Sequence, residues 1–480
     1  MNQALRDKYE VVIGIETHVQ LATKSKLFCG CDNDSREAPP NSHVCEVCYG
    51  MPGALPVLNA EAVRLALRLG QALGAMYPEK MHTKFDRKNY FYPDLPKGYQ
   101  ITQFDEPIVP GGFVEFPLDG KVRRIGITRA HLEGDAGKLT HPDGKNYSLV
   151  DLNRAETPLL EIVSEPDMRS AAEAKAYAQE LHDIARYAGV SDANLYYGNM
   201  RFDVNVSVRV KGATELGTRT ETKNLNSFRA IERAIEYETK RQIVEIESGG
   251  RIRQETRGWN EAGQKTYAMR SKEDADEYRY FPEPDLPPLV ITKDMLKATS
   301  HFDYLPNDLR KLLAEAGIAA REAEVLVAEP ELAGLWFEAR KLDPAQSRFV
   351  FTWLTGPEIK LRESDGEPEH LTPQVLNAVG GMVSTGQLSS TNAKELLTVL
   401  RARKEDPHAL AREMNLLQES DEGELAKIVD EVIAANAEAV ADYKAGNARA
   451  LGALVGACMK ATKGKGNPPL INKLLKERLG

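Results

Sequence analysis

Four of the five cysteines crowd into one short stretch. Cys29, Cys31, Cys45 and Cys48 form the pattern C-x-C-x13-C-x2-C. Two tight pairs across a short loop suit tetrahedral thiolate coordination of zinc. A closed four-thiolate site would pin the loop and do no chemistry. The competing reading is four reduced loop thiols, and His43 is a spare ligand. The second group lies on strand faces. In VVIGIETHVQL, Val11 to Leu21, residues alternate, so Glu16, His18 and Gln20 project from one face while Ile13, Ile15 and Val19 project from the other. A carboxylate and an imidazole side by side on a stiff element are a start for a cation site.

Other segments repeat the theme. NMRFDVNVSVRV, Asn199 to Val210, separates an apolar face from a polar one carrying Arg201, Asp203 and Asn205. Thr218 to Lys223 aligns Arg219, Glu221 and Lys223, LVDLNR aligns Asp151 with Asn153, and LLEIVSEPD aligns Glu161 with Glu165. Each face alone reads as a solvated surface. Together they carry carboxylates, a histidine and basic groups, which fits a concave sheet holding divalent cations and a phosphorylated ligand. Carboxylates suit Mg2+, and basic groups suit phosphate oxygens. Lys84 to Pro107 mixes charge, rings and prolines, as a site wall or plain packing would.

Strands with one packed and one polar face predict an antiparallel sheet. Helices are expected over Ala60–Met76, Ala171–Ala188 and Ser227–Glu247. The prolines of DEYRYFPEPDLPP mark a boundary near residue 295, beyond which only helical periodicity is found, including Pro306–Ala316 and Ala319–Ala328. The expected fold class is therefore α+β: an antiparallel-sheet domain at 1–295 with its zinc loop at 29–48, then two all-helical domains at 296–405 and 406–480. About three domains also suit 480 residues. In the last, Leu451, Leu454, Val455, Cys458 and Met459 share one helix face, so Cys458 reads as a core residue. Lys460, Lys463 and Lys465 follow among glycines, as a phosphate-chain contact or a solvated loop.

Net charge −9 argues against bulk-charge binding of nucleic acid, leaving room for a local basic patch. The polar start MNQALRDKYE lacks a signal-peptide pattern, and no apolar run approaches the roughly 20 residues a membrane span needs, so a cytoplasmic protein away from membranes is expected. There is no Gly-x4-Gly-Lys-[Ser/Thr] loop. With its cysteines read as zinc ligands or core, the chain offers no evident cysteine nucleophile.

IGIETHVQL, FDRKNYFYPDLPKGYQI, RIGITRAHLEGDAGK, EIVSEPDMRS, TKNLNSF, YRYFPEPD and, near the end, GACMKATKGKGNP occur in this order. They resemble the motifs of the GatB family, the B-type subunits of the aspartyl/glutamyl-tRNA amidotransferases. The resemblance implies a glutamine-synthetase-like cradle, a helical domain and a tail that contacts tRNA. It implies ATP and Mg2+ as cofactors. It also implies a heterotrimer, completed by an amidase-fold glutaminase and a small third component, acting on Glu-tRNA(Gln) or Asp-tRNA(Asn). Glu16, His18, Glu133 and Glu221 match the family's metal and active-site motifs. Lys88 and Tyr90 match its substrate-side loop. Arg201, Asp203 and Arg279 are assigned to the nucleotide from face and charge, and Lys460, Lys463 and Lys465 to RNA.

Two positions depart from the family's usual pattern: Gly134 replaces an acid in HLEGDAGK, and Glu156 replaces a glycine in NRAETP. Glu156 is expected to reach the space vacated at Gly134. Asp135 or water is the alternative occupant. A glutamine-synthetase-like ligase acting on a free amino acid and a zinc-containing RNA-binding scaffold are the competing functional readings.

Overall fold

The structure is a computed structural model that describes residues 3–271, 278–418, 422–462 and 466–480. The chain divides into two compact units, Met1–Asp308 and Leu309–Gly480.

Among the described residues, the first unit is built on fifteen strands. They are β1 (Tyr9–Gln20), β2 (Met81–Thr83), β3 (Asp86–Asn89), β4 (Tyr99–Thr102), β5 (Gly112–Leu118), β6 (Lys121–Gly134), β7 (Lys138–Thr140), β8 (Leu149–Asp151), β9 (Pro158–Ser164), β10 (Met200–Val210), β11 (Thr220–Leu225), β12 (Glu255–Asn260), β13 (Lys265–Ser271), β14 (Phe281–Pro282) and β15 (Leu289–Ile291). Eleven of them form one sheet in the order β13-β12-β11-β10-β1-β9-β6-β4-β3-β14, with β5 paired to β6. Every pairing in it is antiparallel except β11 with β12. β1 lies near the middle because its apolar face is continuous: Ile13, Ile15 and Val19 are at most 1% exposed.

That face is covered by three helices, α1 (Ala60–Ala72), α2 (Ala171–Tyr187) and α3 (Phe228–Glu247). Ser170 and Ser227 cap the last two by accepting the Glu173 and Ala230 N–H groups. The first helix stops four residues before the expected Met76. Gly74 takes φ +66 just past its end, and Met76 stands exposed. The unit also runs beyond residue 295, because β15 pairs with β2 and the helix Lys293–Thr299 packs on α1. The Lys84–Pro107 segment is half strand, with β3 and β4 paired. LVDLNR does not join the large sheet. Among the described residues β8 pairs only with β7, and Asp151 and Asn153 accept the Asn41 and His43 N–H groups, which anchors the cysteine stretch instead.

In the second unit all described regular structure is helical, from Pro306–Glu315 and Ala320–Val327 to Pro468–Leu479. Trp336 is fully buried and donates its indole N–H to the Ser347 carbonyl. Residues 425–479 share a core of their own, in which Cys458 is fully buried.

One buried carboxylate ties α3 to three strands. Glu238 is fully buried, pairs with Arg241 at 2.8 Å and Arg257 at 3.1 Å, and accepts from Thr220 at 3.0 Å and from Thr266. Removing it takes the ion pair from Arg241 and one bond each from Arg257, Thr220 and Thr266. Glu238→Ala is expected to destabilise the first unit by about 3–5 kcal/mol, read from denaturant melts. A loss below ~1 kcal/mol would show that water replaces the carboxylate.

Candidate active site and cysteine cluster

Strand register assembles the site. His18 on β1 lies opposite Glu161 on β9 and opposite Arg201 on β10, and Glu161 in turn lies opposite His131 on β6. Glu133 follows His131 by two residues and so shares its face. His18 Nε2 is 3.5 Å from Glu161 and 3.8 Å from Glu133, while His131 Nε2 is 3.5 Å from Glu161 and 3.9 Å from Glu133. Ligand atoms of His18, Glu133 and Glu161 lie within 4.8 Å of one another. Two carboxylates suit a hard divalent cation, and the imidazole widens the choice to softer ones.

The charges support each other. Burial opposes the charge of Glu161, yet His131 and His18 hold its carboxyl well below the usual range. Burial also opposes the imidazolium of His18, but a hydrogen bond to Glu161 and the charges of Glu161 and Glu133 push it up to about 9. Lys88 stays charged although half-buried, because Glu133, Tyr280 and Glu161 outweigh the desolvation. Lys223 does so through Asp203, Glu221 and Glu16. Burial raises the Tyr90 phenol, keeping it neutral.

These groups line one cleft with two lobes of about 870 and 640 Å3, the size range of small-molecule sites. His18, Lys88, Tyr90, Glu161, Asp203 and Lys223 belong to both lobes. The first lobe adds Glu133, Asp135 and Arg201, with Arg201 3.1 Å from Asp135. The second adds Glu16, Glu221, Arg129, His131 and Arg219. Glu16 accepts from Asn205 and Glu221 from Thr256, so these two expected metal residues face the cleft apart from the tight cluster. Arg279 is exposed, has φ +46 and lines neither lobe. Lys460 is exposed at a helix end, and Lys463 and Lys465 lie outside the described residues. Sequence reasoning missed His131, although ITRAHLEGD repeats the spacing of a His and a Glu two residues apart already seen at Glu16 and His18. It singled out Glu161 without a metal role, which only the register reveals.

The four cysteines converge. Cys48 Sγ is 3.6 Å from that of Cys29 and 3.9 Å from those of Cys45 and Cys31. A tetrahedron with Zn–S bonds of ~2.3 Å has edges of about 3.8 Å, so the donor set fits zinc. His43 is not among the converging ligands. Lys26, fully buried, donates to Cys48 Sγ at 3.3 Å and to the Leu152 carbonyl. The hydrogen bond from Cys29 and the Lys26 ammonium both lower the Cys48 thiol.

Glu156 does reach the space beside Gly134. A Cβ at 134 would collide with the Glu156 carboxylate. That carboxylate is paired at 2.5 Å with Lys97, both buried, and lines neither lobe of the cleft. The exchange therefore fills space and neutralises Lys97 outside the cleft. Glu156 keeps a left-handed φ of +66, a conformation that favours glycine.

Residues 11–297 match the family model described as "GatB/GatE catalytic domain", and residues 336–479 match that of the "GatB domain". A Carboxydothermus hydrogenoformans protein, named as the B-type subunit of aspartyl/glutamyl-tRNA(Asn/Gln) amidotransferase, is 46% identical over 480 residues, covering 98% of this chain and 99% of its own. A protein of the same name from Geotalea uraniireducens is 47% identical, with the same coverage. One from Moorella thermoacetica is 46% identical, covering 98% of this chain and 100% of its own. The fold and cleft are those of a catalytic subunit with a mixed α+β core. The chain belongs to the GatB/GatE family.

Two outcomes follow. Protein purified without chelator is expected to carry about one zinc per chain. Cys48→Ser should abolish it and lower Tm by several degrees; a metal-free wild type with unchanged Tm would rule the site out. Gly134→Glu should destabilise, and adding Glu156→Gly should restore stability with a coupling energy of about 1–3 kcal/mol, measured by a double-mutant cycle. Additive effects would show that the two positions are independent.

Proposed function

We propose that this chain is the component of a tRNA-dependent amidotransferase that activates and amidates the acyl group, on a glutamine-synthetase-like cradle. Its substrates are the side-chain carboxylates of Glu-tRNA(Gln), Asp-tRNA(Asn) or both. The observation that carries this reading is the wall shared by the two lobes, where the cation cluster meets Lys88 and Lys223. Such a wall suits a reaction that brings two anionic ligands together.

A carboxylate does not react with ammonia at neutral pH, because its oxygen is a poor leaving group. In the first step the carboxylate oxygen attacks the γ-phosphorus of ATP. The bond to the bridging oxygen breaks and ADP leaves. In the second, ammonia attacks the acyl carbon, the C–O bond to phosphate breaks, and the excess proton leaves with phosphate. Positioning and charge stabilisation dominate phosphoryl transfer. Lys88 and Lys223 supply fixed positive charge, held protonated by the acids around them. His131 pairs with Glu161 and Glu133 and so orients both carboxylates. His18, on giving up the proton that its acidic neighbours favour, would hold a divalent cation with Glu133 and Glu161, and Glu16 and Glu221 would serve a second. When bound, such a cation neutralises oxygens on which charge builds. Arg201 and Asp203 flank the shared wall as ligand contacts, whereas Arg279 stands outside it.

The ammonia comes from an amidase-fold glutaminase partner, and a small third component completes the heterotrimer. The helical part divides near residue 405, and the tail with Lys460, Lys463 and Lys465 contacts the tRNA. The cysteine cluster holds structural zinc beside the cleft domain.

With both partners present and ammonium chloride as nitrogen source, Glu-tRNA(Gln) is expected to become Gln-tRNA(Gln) with ATP and Mg2+. Lys88→Ala should cut kcat by about 10²–10³. Turnover with free glutamate and none with Glu-tRNA(Gln) would sink this reading in favour of a free-amino-acid ligase.

A further inference from the structure

The rim of the first lobe carries a pair of rings that the acyl chemistry does not use. Tyr196 and Tyr197 sit on the turn that leads into β10, and both line the lobe. The turn is well tied: the Asn199 N–H donates to the Asn194 carbonyl at 2.9 Å, and the Tyr197 N–H donates to Asn194 Oδ1 at 3.1 Å. Gly198 takes φ +72 to close it. The rings meet edge to face, with centroids 5.2 Å apart, yet Tyr196 is 89% and Tyr197 57% exposed. Arg36, from the cysteine stretch, places its guanidinium 5.7 Å from the Tyr197 centroid and pairs with Asp34 at 3.0 Å.

Exposed rings at the mouth of a charged cleft are the hardware of nucleobase stacking. Deeper in the same lobe, Arg201 has a buried Nε with no hydrogen-bond partner. The second lobe has a different character. Arg129 and Arg219 stand there with Lys88 and Lys223, a cation set suited to a polyphosphate. Its rings are less exposed than Tyr196 and Tyr197: Phe104, stacked on Tyr280 at 4.1 Å, is 44% exposed and Tyr92 43%.

We infer that Tyr196 and Tyr197 seat the 3′-terminal adenosine of the aminoacyl-tRNA, so that the first lobe receives the aminoacyl end and the second receives ATP. This rests on the amidotransferase reading. Both ligands carry adenine, and topology separates them. ATP needs no continuation beyond the cleft, and its phosphates suit the arginines of the second lobe. A tRNA end must continue out of the cleft, so its last base lies at a rim. The two reacting groups then meet at the wall the lobes share.

The test uses the assembled complex and the variants Tyr196→Ala, Tyr197→Ala, the double variant and the corresponding Phe variants. One readout is the Kd for an acceptor-stem RNA ending in adenosine, compared with the same RNA lacking that nucleotide. The other is the KM for ATP in amidation with ammonium chloride. The double Ala variant should bind the intact RNA about tenfold more weakly and no better than the shortened one. The ATP KM should be unchanged, and the Phe variants should behave as wild type. Equal weakening for both RNAs would overturn the inference, as would a raised ATP KM with unchanged RNA binding, or no change in either. A wild-type complex that fails to amidate Glu-tRNA(Gln) counts against the amidotransferase reading. The RNA comparison still reports on the tyrosines by themselves.

Discussion

The pairing of β1 with β9 is the constraint on which the cleft depends. Glu161 can touch both His18 and His131 only if β9 lies between β1 and β6 and both registers hold. Strand side chains alternate, so a slip of one residue would turn the whole polar row into the apolar layer. The burial of Ile13, Ile15, Val19, Leu160 and Ile162 resists such a slip. The hydrophobic face thus aligns the polar one.

Burying so much charge is tolerable because the cleft supplies its own counterions. Glu161 lies between two imidazoles, Asp203 meets Lys223, and Asp135 meets Arg201 and Arg154. Isolated charges would be neutralised by pKa shifts in such surroundings. Here the partners push both ways, so that Lys88 and Lys223 remain charged. A site prepared in this way would need little reorganisation on taking up an anionic ligand.

Much of this architecture could be read from residue order. Alternation in VVIGIETHVQL and NMRFDVNVSVRV located the two long central strands and the faces they bury, and Arg219, Glu221 and Lys223 do line the cleft together. The cysteine spacing identified four thiols that converge. What periodicity could not supply was which strands are neighbours. Glu161 became a metal-ligand candidate only through its place between β1 and β6, and Asp151 and Asn153 left the cleft because β8 pairs elsewhere. Arg279 was assigned from face and charge, and it stands exposed at a left-handed backbone position outside both lobes. Tyr196 and Tyr197 have no periodic signature, since a turn presents them.

The cysteine cluster is shielded unevenly, and that sets how an ion there would be reached. Cys48 and Lys26 are completely shielded from solvent, whereas Cys29, Cys31 and Cys45 are half-buried, and the stretch around them is fastened to the Asp151–Asn153 segment. A chelator would approach from the side of the three half-buried thiols, with the loop still in place.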